Sequence, residues 1–423
     1  MSKIQEWFRT YLSKRMLAIF LLGFSSGLPI ALVTGTLQAW FKTTGSSIVV
    51  IGFMSLITQP YSYKFLWSPL LDKYALPSFL DRRRSWILIM QLFLITIIAL
   101  MALFTPHKTM SIFKWEVPVL FLLGFILSIF SATQDIAIDA YRTELLRVDE
   151  RGLGSALNIE GYRLAMIVSG GFALILADRF GWQTTYLIMA GIMAVGLIAT
   201  YLAPEIKNPT TMQEDSLFTT IIDSFKNFLL RDQAWLILIL IILYKLSDAF
   251  SHALSTSFLI DLQFSLSHIG MINKVLGVIA TLVGVLVGGL LMTRLGLFKS
   301  LLLFGILAAI TNLTYMVLAL AGKNYVLACT AVFIENTCAG MGTAAFVSLI
   351  MSLCSPKYVA TQFALLTSLA SLGRIYVGPA SGYLVKNYGW SKFYFFTGIV
   401  ALPALLLLIY LKPQLDNQKK SFQ

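Results

Sequence analysis

The sequence predicts an all-α membrane protein of about twelve transmembrane helices, arranged as two six-helix halves, and three observations carry that reading. Of 423 residues, 57% are hydrophobic and only 12% are charged, roughly half the charged share of a soluble domain. A water-facing surface cannot be built from that composition. The apolar residues also fall in runs of about 20, the length that crosses a hydrocarbon core of roughly 30 Å. Finally, the basic residues gather in alternate connections between those runs, so the net charge of +12 reads as membrane topology and not as a nucleic-acid footprint.

Spans are expected near 16–40, 48–70, 85–105, 117–140, 153–178, 183–203, 233–257, 269–292, 298–321, 324–352, 358–385 and 391–411. The first follows Lys3, Arg9, Lys14 and Arg15 as a signal peptide would, but its apolar run continues through Phe41 without a convincing small-residue cleavage site. It is read as an uncleaved helix. An even number of crossings returns both termini to one side. Taking that side as cytoplasmic places inside the basic residues of the N-terminal segment, 72–84, 142–151, 204–232, 293–299, Lys357 and the tail, and leaves outside Lys42, Lys108, Lys114, Arg179, Lys323, Lys386 and Lys392. The asymmetry sets both termini in the cytoplasm. The longest connection, 204–232, holds Pro204, Pro209 and the polar run TTMQEDS before an amphipathic stretch, SLFTTIIDSFKNFLLR, suited to lie along the membrane surface. It divides the chain into a first bundle, 1–203, and a second, 233–423.

The halves echo each other at an offset of about 208 residues: GYRLAMIVSGGFALILADRFGW at 161–182 returns loosely as LGRIYVGPASGYLVKNYGW at 372–390. The connections after the second and eighth spans are likewise short, basic and marked by glycine or proline. Six helices plus six with such an echo resemble the major facilitator architecture.

Charge inside the spans carries the functional signal. Lys64, Arg163, Lys245, Lys274 and Arg374 join Asp135, Asp139, Glu160, Asp248 and Glu335 there. Each costs roughly 2.5–3.5 kcal/mol at a helix centre unless a partner or a watery cavity receives it. In SATQDIAIDAYRTELL, Asp135, Asp139 and Arg142 fall within about 80° of one helix face, beside Gln134. Two readings stay open: a proton-responsive acid pair, or a static ion pair near the helix end. Lys245, Asp248 and His252 fall within about 60° of one another, and Lys245 with Asp248 suits a pair that opens when solute or a proton arrives. Glu160 and Arg163, at i and i+3, can satisfy each other, which makes them weaker functional candidates. Arg374 lacks a local acid, and Glu335, next to Asn336, is its expected intramolecular partner; alternatively its guanidinium takes an anionic ligand. Gln38, Trp40, Gln59, Tyr61, Tyr63 and Trp67 lie among glycines and prolines in the first two spans, where broken helices that line a cavity accept such residues.

The absences exclude other classes. No GxxxxGK[ST], HExxH or paired Cys/His set occurs, so no ATP site, metal, cofactor or enzyme activity is expected. Cys329, Cys338 and Cys354 show no CxxC spacing and are read as reduced structural thiols.

Beyond architecture, the stretches FSSGLPIALVTGTLQAW, PYSYKFLWSPLLDKY, RRRSW, SATQDIAIDAYRTELL, ERGLGSALNIEGYRLAMIVSGG, GMGTAAFVSLIMSLC and ATQFALLTSLASLGR resemble the AmpG-type muropeptide permeases, with QDIAIDAYRTELL the most specific piece. The likeness covers roughly 16–390. It departs at Ser247 and His252, where that family's pattern favours smaller residues. The resemblance implies a multi-pass carrier of the Gram-negative inner membrane that imports anhydromuropeptides on the proton-motive force for cell-wall recycling, in some hosts a trigger of β-lactamase induction. Its partners would be a small glycopeptide, protons and the lipid bilayer, with no nucleic acid, and a monomer is the default. On that reading Arg163, Lys245 and Arg374 meet peptide carboxylates, and Gln38, Tyr61, Tyr63 and Gln134 meet sugar and amide groups. Asp135, Asp139 or Asp248 carries coupling protons, and Arg142 and Glu335 serve in gating ion pairs. Acetyl-CoA, handled by a related branch, is the competing cargo, and a transporter-like membrane sensor is the reading without transport.

Overall fold

The structure, a computed structural model, describes residues 13–74, 76, 80–112, 115–146, 150–206, 225–231, 233–355 and 359–413. Lys3, Arg9, most of the expected linker and the C-terminal tail lie outside the described residues.

Among the described residues, ten helices are long and apolar enough to cross a bilayer. They are α1 (Lys14–Thr43), α3 (Arg82–Met101), α4 (Val119–Leu145), α5 (Leu153–Phe180), α6 (Trp182–Leu202), α7 (Ala234–Asp261), α8 (Leu266–Leu295), α9 (Leu297–Ala321), α10 (Tyr325–Leu353) and a final run, Leu365–Tyr410. That run is two crossings, because Gly389 breaks it with φ 76° and ψ 172°. Its arms are α11 (359–388) and α12 (390–410). The second segment, α2 (48–73), is left out of the ten because it alternates short α and 3-10 turns: Ile48–Phe53, Met54–Thr58, Gln59–Tyr63, Lys64–Leu66 and Ser68–Lys73. Pro60 and the polar residues of QPYSYK interrupt it, as broken membrane helices require. With α2 and the divided final run, the crossings are consistent with twelve. A hairpin pairing β1 (Thr109–Ile112) with β2 (Trp115–Pro118) joins α3 to α4.

Side chains set several helix starts. Ser47, Asp81, Ser265 and Asn324 each accept a hydrogen bond from the backbone N–H three residues on, satisfying a donor the helix leaves free. Three π-helical stretches, Leu32–Thr36, Ile167–Phe172 and Gly270–Leu276, interrupt α1, α5 and α8.

Packing separates two compact units. Unit 1 comprises 1–46, 57–214 and 265–270; unit 2 comprises 47–56, 215–264 and 271–423. Lipid tails supply no hydrophobic drive between helices, so close backbone approach has to come from small residues. In unit 1, a Cβ on Gly23 or Gly27 of α1 would overlap the Asn158 or Tyr162 carbonyl of α5. In unit 2, Gly284 and Gly340 seat α8 against α10 in the same way. The first turn of α8 belongs to unit 1, where Ser267 Oγ donates to Asp178 at 2.5 Å.

The sequence echo has a counterpart in the backbone. Gly181 and Gly389 share one conformation, φ 79°, ψ 167° and φ 76°, ψ 172°. The tryptophan that follows ties back to the end of its unit's first helix: Trp182 donates to Thr43 and Trp390 to Asp261, both at 3.0 Å. A buried tyrosine one turn further, Tyr186 or Tyr394, packs beneath with Trp40 or Phe258. Of the amphipathic stretch, 225–229 is helical. Phe228 is buried in the unit 2 core with Ile237, Leu240 and Phe346.

Candidate functional site

Unit 1 holds its intramembrane polar groups mainly through neutral donors. Ser26 Oγ of α1 donates to Asp135 Oδ1 of α4 at 2.5 Å. Beside it runs a buried chain: Thr200 donates to Gln91 Oε1 at 2.9 Å, Gln91 Nε2 to Ser25 Oγ at 3.1 Å, and Ser25 to Gln134 Oε1 at 3.5 Å. Gln134 has no exposed surface in this conformation; it locks α4 to α1 next to Asp135. Lys64 and Asp139 are within electrostatic reach of Asp135. The Tyr61 hydroxyl is buried beside Ser131 and Asp135. Gln38 is buried in α1, and Tyr63 is half-buried in α2.

Asp139 points elsewhere. Its side chain is 55% exposed and pairs with Arg142 at 3.1 Å, and Arg142 also donates to Asn158 of α5 at 3.0 Å. Near the same end of the unit, Arg83 pairs with Glu144 at 2.7 Å, both almost buried, and Arg84 donates to the Ala203 carbonyl at 2.7 Å. Glu160 and Arg163 do not pair: Glu160 is exposed, Arg163 is half-buried, and Arg163 has no ion pair among the described residues. An i, i+3 spacing permits contact, but it does not set the two rotamers toward each other.

Unit 2 holds its intramembrane acids Asp248 and Glu335 in pairs. Lys245 Nζ donates to Asp248 Oδ2 at 2.9 Å and to Thr343 of α10 at 3.0 Å. One turn along α7, His252 Nε2 lies 2.9 Å from Glu335 Oε1 of α10. Asn336 Nδ2 donates to the other Glu335 oxygen at 3.0 Å. This corrects the expectation that Glu335 neutralises Arg374. Histidine and asparagine engage its two oxygens, while Arg374 is exposed on α11 and makes no ion pair among the described residues. Lys274, in the π-helical stretch of α8, likewise has none among the described residues. Ser247, expected as an oddity, bridges α9 and α12: Asn312 donates to its Oγ at 2.9 Å and that hydroxyl donates to the Thr397 carbonyl at 2.8 Å.

Sequence reasoning missed Ser26, Gln91, Thr200, Thr343 and the role of His252. Gln91 had a signal, a lone amide inside the apolar run ILIMQLFLIT. The hydroxyl residues had none, since serine and threonine are ordinary in membrane helices.

Two bundles of membrane-crossing helices, with charges held inside them, define a multi-pass membrane transporter. The family model described as Major Facilitator Superfamily matches residues 15–378. The chain is 45% identical over 97% of its length, and 82% of the relative's, to a protein named anhydromuropeptide permease in Escherichia coli strain K12. It is 36% identical over 98% of its length, and 100% of the relative's, to a putative transporter AmpG 4 of Rickettsia conorii. Among solved structures, a POT family transporter in complex with 5-aminolevulinic acid matches with a TM-score of 0.71 at 13% identity, over 95% of this chain and 96% of that one. A single-residue mutant of the nucleoside transporter NupG matches with a TM-score of 0.68 at 14% identity, over 94% and 99%. Those two likenesses speak for the fold alone. The chain belongs to the major facilitator superfamily and, within it, to the AmpG-type permeases.

Proposed function

We propose that this chain imports anhydromuropeptides from periplasm to cytoplasm in symport with protons. It works as a monomer in the inner membrane, with both termini in the cytoplasm. The observation that carries the reading is the 45% identity, along 97% of the chain, to a protein named for that cargo. Such a solute brings sugar hydroxyls, amides and peptide carboxylates, and the residue types inside the two units suit all three. Arg163 and Arg374, unpaired among the described residues, and Lys245 receive carboxylates, for which a guanidinium fork is well shaped. Gln38, Tyr61, Tyr63 and Gln134 serve the sugar and amide groups.

Coupling follows from competition for Lys245. A solute carboxylate that takes Lys245 strips Asp248 of its counter-charge, and a membrane-buried carboxylate left alone costs roughly 2.5–3.5 kcal/mol. Taking a proton removes that cost, so solute and proton favour the same state. Asp135 offers a second carboxylate, held by a hydroxyl and not by a cation. Asp139 is the weakest of the three, being exposed and already paired with Arg142, a contact that suits gating together with Glu335.

Counterflow in proteoliposomes tests the cargo. Labelled anhydromuropeptide is expected to exchange with unlabelled muropeptide inside the vesicle and to be unaffected by excess acetyl-CoA. Exchange blocked by acetyl-CoA, or none with folded protein, contradicts the substrate.

A further inference from the structure

We infer that Glu335 and His252 form a proton-binding couple of unit 2, in which the imidazole receives the proton and the buried carboxylate stores it. The inference rests on the proposal that transport is proton-coupled and deepens it, since it adds to the Asp248 step a second proton-binding pair in unit 2.

Four observations carry it. First, the pair is graded in exposure: the His252 side chain is 39% exposed while that of Glu335 is 2% exposed, and the two meet at 2.9 Å. A proton that reaches the accessible ring has a direct bond to the inaccessible acid. Second, Glu335 is held against α8 by a backing that carries no charge: Asn336 donates to its Oε2, and Thr281 donates to Asn336 Oδ1 at 3.4 Å. Among the described residues, no cation pairs with the carboxylate from that side. Third, an alternative set of partners is already built. The hydroxyls of Tyr315 on α9 and Tyr394 on α12 are buried without a hydrogen-bond partner among the described residues. Their rings stack at 5.0 Å, and both lie within electrostatic reach of Glu335. Buried hydroxyls left unbonded cost about 1–3 kcal/mol each, which marks them as groups that find their partner in another state. Fourth, the equivalent tyrosine of unit 1, Tyr186, spends its hydroxyl on the Leu32 carbonyl at 3.1 Å. The open valence of Tyr394 is therefore particular to unit 2 and is not a property of the aromatic clasp.

The other titratable and charged groups facing the couple are Asp248 and Arg374, in electrostatic reach of His252, and Cys338, in reach of Glu335. Lys245 is engaged by Asp248 and Thr343. Arg374 is thus the cation that a solute carboxylate would neutralise beside the couple.

The transfer conserves one proton. Water delivers it to Nδ1 of His252, the ring gives the proton on Nε2 to Glu335 Oε1, and the neutral carboxyl group turns from His252 to the two tyrosine hydroxyls. Return of that proton to water on the opposite side, with the ring proton exchanged through water from Nδ1 back to Nε2, restores the starting pair, and nothing is oxidised or reduced.

Proteoliposomes carrying wild type, Glu335→Gln or His252→Gln test it by two readings, gradient-driven accumulation and exchange across pH. Glu335→Gln is expected to lose at least tenfold in accumulation and to exchange solute at a rate that responds less steeply to pH than wild type. His252→Gln is expected to slow accumulation while keeping its dependence on the gradient. Accumulation within twofold of wild type in Glu335→Gln, or a wild-type pH profile, overturns the couple. If wild type moves no solute, the functional reading fails, and the couple is then read without solute. The His252 ring is titrated by nitrogen NMR in nanodiscs, with His107 and His268 assigned by substitution. A midpoint moved by about one pH unit or more in Glu335→Gln supports the couple, and an unmoved midpoint overturns it.

Discussion

The two units share a frame and differ in what the frame encloses. Both close their last two helices with a positive-φ glycine and a tryptophan that binds the first helix, at Gly181 with Trp182 and at Gly389 with Trp390. Inside, unit 1 holds Asp135 by a serine hydroxyl and extends a neutral amide and hydroxyl chain from Gln134 to Thr200. Unit 2 holds Asp248 by a lysine and Glu335 by a histidine. The duplicated frame is the part that lipid constrains, because every backbone group must be satisfied there. The interior is free to diverge, and the two units differ there: Asp135 is held by a serine hydroxyl and Asp248 by a lysine.

That contrast predicts unequal penalties. Asp248→Ala leaves Lys245 without its counter-charge and is expected to cost about 3–5 kcal/mol, the loss typical of halving a buried pair. Thermal unfolding in detergent reads it, and Lys245→Met combined with Asp248→Leu is expected to recover most of the loss. A double variant as unstable as the single would show that the pair is more than self-compensating. Next in size is Gly161→Leu, where α5 crosses α1 against the Phe20 carbonyl. Forcing the helices apart there is expected to cost about 1–3 kcal/mol and to be read in the same melt, while Gly191→Leu, which meets nothing within 4 Å, leaves the melt unchanged. Ser26→Ala comes third: it removes the hydroxyl from Asp135 and is expected to cost about 1–3 kcal/mol. Asp135→Asn placed with it in a double-variant cycle should show coupling between the two. The smallest effects are at the clasp. Trp390→Phe loses a bond to a carboxylate and Trp182→Phe one to a hydroxyl, so the first is expected to lower stability more, by about 1 kcal/mol or less.

What the sequence made legible was local. Hydropathy placed the crossings, and Pro60 with its polar neighbours marked α2 as broken. Spacing on one helix found Lys245 with Asp248 and Arg142 with Asp139, because residues three apart share a face whatever surrounds them. The same logic failed for Glu160 and Arg163, where sharing a face did not become contact. It could not reach Ser26 and Asp135, 109 residues apart in the chain, because periodicity gives the face of a helix and not the neighbour it meets. Glu335 illustrates the limit. Its cost in the membrane showed that it needs a partner, yet the choice between Arg374 and His252 depended on how α7, α10 and α11 are rotated about their axes.

The most direct test of the account is uptake of labelled anhydromuropeptide into proteoliposomes, with and without an inward proton gradient. The account predicts accumulation above equilibration that appears only with the gradient and collapses on adding an uncoupler. Uptake to the same level with and without the gradient would contradict proton coupling, and no uptake by folded protein would contradict the cargo itself.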